Sequence, residues 1–323
     1  MKRRDFLKTF LLLYPASIVC ATIKNIGLHL DKFYYSVFFD YTQNNMLLFS
    51  YSIDGENWSI PVTLNYKGRP LNGRDPSLVY YRGKWLLLLT GGKEDQYDAS
   101  FFVSDDLNSW QLLRVVLGGN ETITSSYRLW DNSDVPSRYV WAPELIKDSR
   151  DNLYIVASVQ IGIDSNKKNT MKFFGLYLSR CDDTNKFIFS KAKRIKLIEY
   201  DGAINKYSRI DPFIIYDEPQ SRYILATKRE NFGVIDFFES SVISGDYKYI
   251  GCLDLHSLNS SMDIEGPSIC WQRNKWYVYF DSYYLRKGIM YVTTSDFKLF
   301  SEPKGCNIDR AEFMRHGTIS KTY

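Results

Sequence analysis

Five stretches of this chain enter a strand in the same way, and their spacing limits the folds open to it. They begin at Asp75-Pro76, Ala142-Pro143, Asp211-Pro212, Gly266-Pro267 and His316-Gly317, each followed by an apolar run. The first four continue through a polar turn into a second aromatic strand, as at Arg82-Gly83-Lys84-Trp85, Asp151-Asn152-Leu153-Tyr154 and Arg273-Asn274-Lys275-Trp276. Self-similarity at a steady period signals a repeat architecture. Intervals of roughly 50 to 70 residues suit four-stranded propeller blades with elaborated loops. Five openings predict an all-β, five-bladed β-propeller.

A second repeated piece supports this. Ser or Thr, then Asp, then an aromatic residue recurs at Ser52-Asp54-Trp58 and Ser104-Asp106-Trp110, with looser copies at Ser179-Asp182-Phe187 and Thr294-Asp296-Phe300. The aspartate can close a turn onto the backbone while the aromatic packs between sheets. Aromatic residues make up 16% of the chain, and such residues favour strands over helices. Residues 33–64 read as the later strands of a blade without its opening, and Arg315-His316-Gly317-Thr318-Ile319 as an opening without its followers. Joining the two closes the ring and removes an exposed sheet edge. A β-sandwich leaves the five openings unexplained.

The start of the chain reads separately, as an export signal over residues 1–22, with the propeller over 23–323. A twin arginine, Arg3-Arg4, precedes an apolar run at residues 10–21 that is short for a membrane span. The pattern resembles a twin-arginine address for export of folded proteins, which predicts a periplasmic or extracellular location with no stable membrane span once the signal is gone. Cys20 lacks the small preceding residue of a lipoprotein site. The other cysteines show no metal-binding spacing, and Cys252 and Cys306 are the pair open to a disulfide in an exported protein. A net charge of +4 with no dense basic block gives nucleic acid no electrostatic footprint.

In a propeller the opening strands line a central channel, so equivalent residues meet around one funnel. Asp75, Asp211 and Glu265 thereby converge, and carboxylates on a rigid frame are the equipment of glycoside hydrolysis. One Asp-Pro alone is a common turn element; three matched carboxylates predict a site. Trp141 is placed either to face a sugar or to wedge the core, and Glu144 beyond it reads as structural. Arg74 and Arg315 are candidates for substrate binding and are positioned to balance charge in the funnel. Asp281 is a further funnel candidate for substrate binding, and Lys228-Arg229-Glu230 reads as a surface charge run, with substrate contact by a basic residue as the alternative.

Taken together, Arg74-Asp75-Pro76, Val140-Trp141-Ala142-Pro143-Glu144, Ile210-Asp211-Pro212, Ile264-Glu265-Gly266-Pro267 and Arg315-His316-Gly317-Thr318 resemble glycoside hydrolase family 43, a group of five-bladed propellers that includes arabinofuranosidases and xylosidases. The resemblance implies Asp75 as general base, Glu265 as general acid and Asp211 as the carboxylate that tunes the acid. It implies inverting hydrolysis of α-L-arabinofuranosides or β-D-xylosides in an oligosaccharide or polysaccharide, with no required cofactor. His316 either helps hold a structural calcium through water or hydrogen-bonds within the channel. A raised Glu265 pKa is expected, since a nearby negative charge favours the protonated acid. A glycan-binding propeller without catalysis, and a transglycosylase or phosphorylase, are the competing readings.

Overall fold

In blades 1 and 4 a two-residue turn knits the opening run to the aromatic strand after it. Arg82 and Gly83 have φ of 48° and 81°, Arg273 and Asn274 of 48° and 60°. Positive φ at both central positions matches the right-handed twist of hairpin strands. The computed structural model describes residues 33–55, 57–90, 99–115, 140–164, 171–190, 192–282 and 287–322. The export signal read at residues 1–22, with Arg3, Arg4 and Cys20, lies outside the described residues. Among those residues the elements are strands, apart from one 3-10 turn at Ala311–Phe313.

Blade 1 runs outward through Arg74–Tyr81, Lys84–Thr90, Ala99–Ser104 and Trp110–Val115. Blade 2 comprises Val140–Lys147, Leu153–Asp164 and Met171–Asp183, with the short Ile188–Phe189 and Lys193–Arg194 on its edge. Blade 3 comprises Arg209–Asp217, Arg222–Arg229, Val234–Ser240 and Tyr247–Leu253, the last of which also pairs in parallel with Leu197–Ile198. Blade 4 comprises Glu265–Gln272, Lys275–Asp281, Ile289–Thr294 and Lys304–Gly305. Blade 5 takes its opening strand, Met314–Lys321, from the C-terminus and Tyr34–Asp40, Met46–Ser52 and Val62–Thr63 from the N-terminal part. This is the closure read from the sequence. Phe33 and Thr322 clip it shut through backbone and hydroxyl bonds of 2.9–3.3 Å.

The interior divides into five apolar clusters, one between each pair of neighbouring blades. Alternation along the strands supplies both faces of every blade. Leu86 and Leu88 face blade 2, while Leu87 and Leu89 face blade 5. The cluster between blades 5 and 1 joins Tyr35, Val37 and Phe49 to Trp85 and Phe102, so the ring closes by packing as well as by pairing.

The Ser/Thr–Asp–aromatic repeat works as a blade corner. Ser104 Oγ accepts from Leu107 N at 2.9 Å, Asp106 Oδ1 accepts from Asn108 N and Ser109 N, and Trp110 enters the core. Thr294 and Asp296 repeat the pattern. Blade 2 departs from it. There Asp183, not Asp182, closes the turn onto Asn185 and Lys186. Cys252 and Cys306 are free thiols, as are Cys181 and Cys270. The first two belong to different blades, Cys252 on the outer strand of blade 3 and Cys306 beside Ile289 of blade 4.

Candidate active site

Each opening strand carries a bulge near its start, and the bulge aims side chains at the channel. Proline has no N–H to give a ladder, and pairing skips at Arg74/Ser77, Trp141/Glu144, Ile210/Phe213 and Glu265/Ser268. The residue before each proline is left-handed: Asp75 at φ 50°, Ala142 at 42°, Asp211 at 53° and Gly266 at 61°. Such a conformation costs a non-glycine residue about 1–2 kcal/mol, and strain of this kind concentrates at functional sites. In the fifth opening the register skips His316.

This alignment corrects the matched-position reading of the three carboxylates. Asp75 and Asp211 occupy the bulge itself, together with Ala142, Gly266 and His316. Glu265 stands one residue earlier, in the row of Arg74, Trp141, Ile210 and Arg315. Blade 4 has glycine at its bulge because the space is taken. A Cβ on Gly266 would lie 2.7 Å from Cγ of His316.

Three of the freed bulge N–H groups are satisfied from the preceding blade. Thr90 Oγ1 accepts from Ala142 N at 2.9 Å, Asp211 Oδ2 from Gly266 N at 3.1 Å, and Asp281 Oδ2 from His316 N at 2.9 Å. Asp281, read from sequence as a substrate-binding candidate, is fully buried, and its Oδ2 also accepts from Arg315 Nε at 2.9 Å.

The remaining candidates meet in one funnel of about 330 Å³, within the range of ligand sites. Asp75, Asp211, Glu265, Trp141, Arg74, Arg315 and His316 all line it, joined by Thr90, Ile210, Lys228 and Glu230. His316 Nδ1 lies 3.5 Å from Asp75 Oδ1 and 3.9 Å from Asp211 Oδ1, bringing blades 1, 3 and 5 together. Trp141 stacks on Phe174 at 4.5 Å between ring centres. Arg315 does balance charge, binding both Glu265 and Asp281, whereas Arg74 is an exposed funnel residue.

Lys228 is the residue that sequence reading misplaced. It is buried, and its Nζ binds Glu265 Oε2 at 2.8 Å and Glu230 Oε2 at 3.6 Å. Arg229 meanwhile pairs with buried Asp236 at 2.6 Å. The signal was present. Lys228 ends the alternating strand Arg222–Arg229 and sits opposite Ile210, next to Asp211.

These cations reverse the expected Glu265 shift. Burial pushes its carboxyl up, but Lys228 and Arg315, helped by His316, outweigh that and hold it below the ordinary glutamate value. Asp211 goes the other way, well above the ordinary aspartate value, through burial and the Glu265 charge against the opposing pull of Lys228. Burial and the Glu265 charge likewise push Asp281 to about 7 despite Arg315. Glu144 is fully buried deeper in the channel and accepts from Thr318 Oγ1 at 3.2–3.3 Å. Burial drives it to about 8, overcoming hydrogen bonds from Ser77 and Thr318.

Among the described residues no group of three or more His, Cys, Asp or Glu side chains is placed to hold a metal ion directly.

A family described as "probable glycosyl hydrolase domain", related to glycoside hydrolase family 43, matches residues 90–322. The chain belongs to this family. The chain also shares its propeller fold with solved family 43 enzymes at low identity. An exo-β-1,3-galactanase from Clostridium thermocellum aligns at TM-score 0.57 and 10% identity, over 75% of this chain and 50% of its own. A galactanase of the same type from Phanerochaete chrysosporium, bound to galactose, aligns at 0.53 and 9%, over 76% and 52%. The chain therefore spans about half the length of these two galactanases. A family 43 subfamily 1 enzyme from Xanthomonas citri complexed with xylose aligns at 0.55 and 13%, over 84% and 86%. No curated protein matches the chain. The chain is thus a five-bladed propeller of a family described as a probable glycosyl hydrolase domain. Among the described residues no helix is long and apolar enough to cross a membrane.

Proposed function

We propose that this protein is a glycosidase and hydrolyses its substrate by a single inverting displacement. Asp75 serves as the base that activates water, Glu265 as the acid that protonates the departing oxygen, and Asp211 as the carboxyl that shares the acid's proton. One observation carries the reading: carboxyls from blades 1, 3 and 4, separated along the chain, line a single funnel with Trp141. The opposite shifts of Asp211 and Glu265 add to it, because acid–base sites divide protonation between neighbouring carboxyls. Arg74 and Trp141 line the same funnel and are assigned to sugar binding.

The substrate is proposed to be an α-L-arabinofuranoside or β-D-xyloside, in an oligosaccharide or polysaccharide outside the cytoplasm. The twin-arginine start supports the location. The xylose-bound Xanthomonas enzyme supports the xyloside, and the galactanases add β-D-galactosides as a class to test.

A panel of 4-nitrophenyl glycosides and matching oligosaccharides tests the activity. Asp75→Asn and Glu265→Gln are expected to abolish turnover on every member that the unaltered protein cleaves, with the fold intact by circular dichroism. An NMR time course is expected to show the anomer opposite to that of the substrate. A retained anomer overturns the mechanism. Sugar binding without hydrolysis of any panel member favours a glycan-binding module instead.

A further inference from the structure

Both oxygens of Glu265 are held by cations. Lys228 Nζ donates to Oε2 at 2.8 Å, and Arg315 Nη2 donates to Oε1. A carboxylate bridged on both sides by positive charge is poorly placed to carry a proton for donation. Asp211, the neighbouring carboxyl, accepts the backbone N–H of Gly266 and is 6% exposed. With both cations in place this geometry favours the proton of the pair on Asp211, whereas an acid needs it on Glu265.

The two cations are anchored differently. Arg315 is locked by a second bond to fully buried Asp281, through the same planar guanidinium that reaches Glu265. Lys228 reaches in from the second strand of blade 3 as a point charge on a flexible stem, with Glu230 at 3.6 Å as a second carboxylate for its ammonium. Of the two, Lys228 is the one that a ligand can turn aside. Sugar hydroxyls are acceptors for an ammonium group, and Lys228 lines the funnel.

The acid role proposed for Glu265 underlies this inference. We propose that Lys228 is a positioning residue that keeps Glu265 disarmed in the empty funnel, and that a bound sugar arms it by drawing the ammonium onto its own hydroxyls. The proton then passes from Asp211 to Glu265. The O–H bond broken on one carboxyl forms on the other, so the pair keeps one negative charge throughout and no further reactant is consumed.

Every charged group facing this pair enters the balance. Blade 3 contributes Asp211, Lys228 and Glu230, blade 5 contributes Arg315 and His316, and blade 4 contributes Asp281. Arg74 and Asp75 face it from blade 1, and Glu144 adds its electrostatic influence on Asp211's side of the channel. Of these, Lys228 alone is both a direct partner of Glu265 and on a flexible stem beside an alternative carboxylate.

The test uses the full chain labelled with side-chain carboxyl ¹³C-glutamate. The Glu265 signal is identified by its loss in Glu265→Gln. In the unaltered protein Glu265 is expected to titrate below the ordinary glutamate range, and Lys228→Met to raise its midpoint by about 1–3 pH units, the usual effect of losing an adjacent opposite charge. Lys228→Arg should restore the low midpoint. Where Lys228→Met does not fold, Lys228→Gln removes the same charge. On the best panel substrate, the alkaline limb of kcat/KM should move upward with the titration, whereas a merely structural lesion lowers the whole profile in place.

A Glu265 midpoint unmoved by loss of the Lys228 charge overturns the inference, as does an upward move equally large in Lys228→Arg. The underlying reading fails separately. If Glu265→Gln retains turnover, the acid assignment is wrong whatever the titration shows. If that variant is inactive and the midpoint does not move, only the role of Lys228 is wrong.

Discussion

Replacing Glu144 with glutamine probes the electrostatics of the channel at nearly constant shape. The carboxyl is fully buried, and burial raises its pKa from 4.5 to about 8. Below pH 4.5 it is protonated in both the folded and the unfolded chain, so the contribution to stability is fully present. As pH rises past 4.5 the unfolded chain releases the proton while the folded protein keeps it, and stability falls. Above about 8 both states have released it and the loss levels off. At about 1.4 kcal/mol per pH unit, the interval from 4.5 to 7 amounts to a penalty of about 3 kcal/mol at pH 7. Glutamine cannot ionise, so that penalty is absent from the variant. Its extra N–H group introduces a separate cost of about 1–3 kcal/mol if unpartnered, but that cost does not vary with pH. Urea unfolding of both proteins from pH 4.5 to 8 is the assay. Glu144→Gln is expected to gain about 3 kcal/mol on the unaltered protein between pH 4.5 and 7, whatever the starting offset. A difference that stays flat, or shrinks as pH rises, refutes the reasoning.

Three further outcomes follow from the geometry. Gly266→Ala places a Cβ 2.7 Å from the His316 ring at φ +61°, so it should turn the imidazole and lower kcat/KM by about 100-fold; unchanged kinetics would remove His316 from the site geometry. Arg209→Met leaves fully buried Glu199 without its guanidinium partner and removes one of two from Asp236, which should cost about 3–5 kcal/mol in urea unfolding; a loss under about 1 kcal/mol would show that these charges relax or neutralise. Trp141→Ala removes the ring that stacks on Phe174 at the funnel wall. It should raise KM about tenfold with a smaller change in kcat, measured on the best panel substrate, and the reverse pattern would argue against sugar binding by this ring.

The blade count and the ring closure were legible because both rest on local pattern. An X-Pro or His-Gly opening before an apolar run is a short-range signal, and the five openings carry their own spacing. The corner motif was legible for the same reason, down to the hydroxyl and carboxylate that hold the turn at Ser104 and Asp106. Blade 2 shows the limit, since a one-residue slip from Asp182 to Asp183 leaves the local pattern almost unchanged.

The site was legible only in part. Asp75, Asp211, Glu265, Trp141, Arg74, Arg315 and His316 do meet in one funnel, as opening strands around an axis require. Asp281 lies beside it but is occupied by His316 N and Arg315, because a bulge frees an N–H that a neighbouring blade must satisfy. Lys228 was hidden inside a run of charges that reads as surface. Its strand register, not its neighbours in sequence, turns it inward.

Sequence alone thus determined the repeat, the number of blades and the identity of the converging carboxyls, since each is written in a local pattern repeated along the chain. Only tertiary structure decided which of those carboxyls is shifted toward holding a proton and which away from it. Protonation depends on burial and on charges a few ångströms away, and here the deciding charges are Lys228 of blade 3 and Arg315 of blade 5, brought to Glu265 of blade 4 by the closure of the ring.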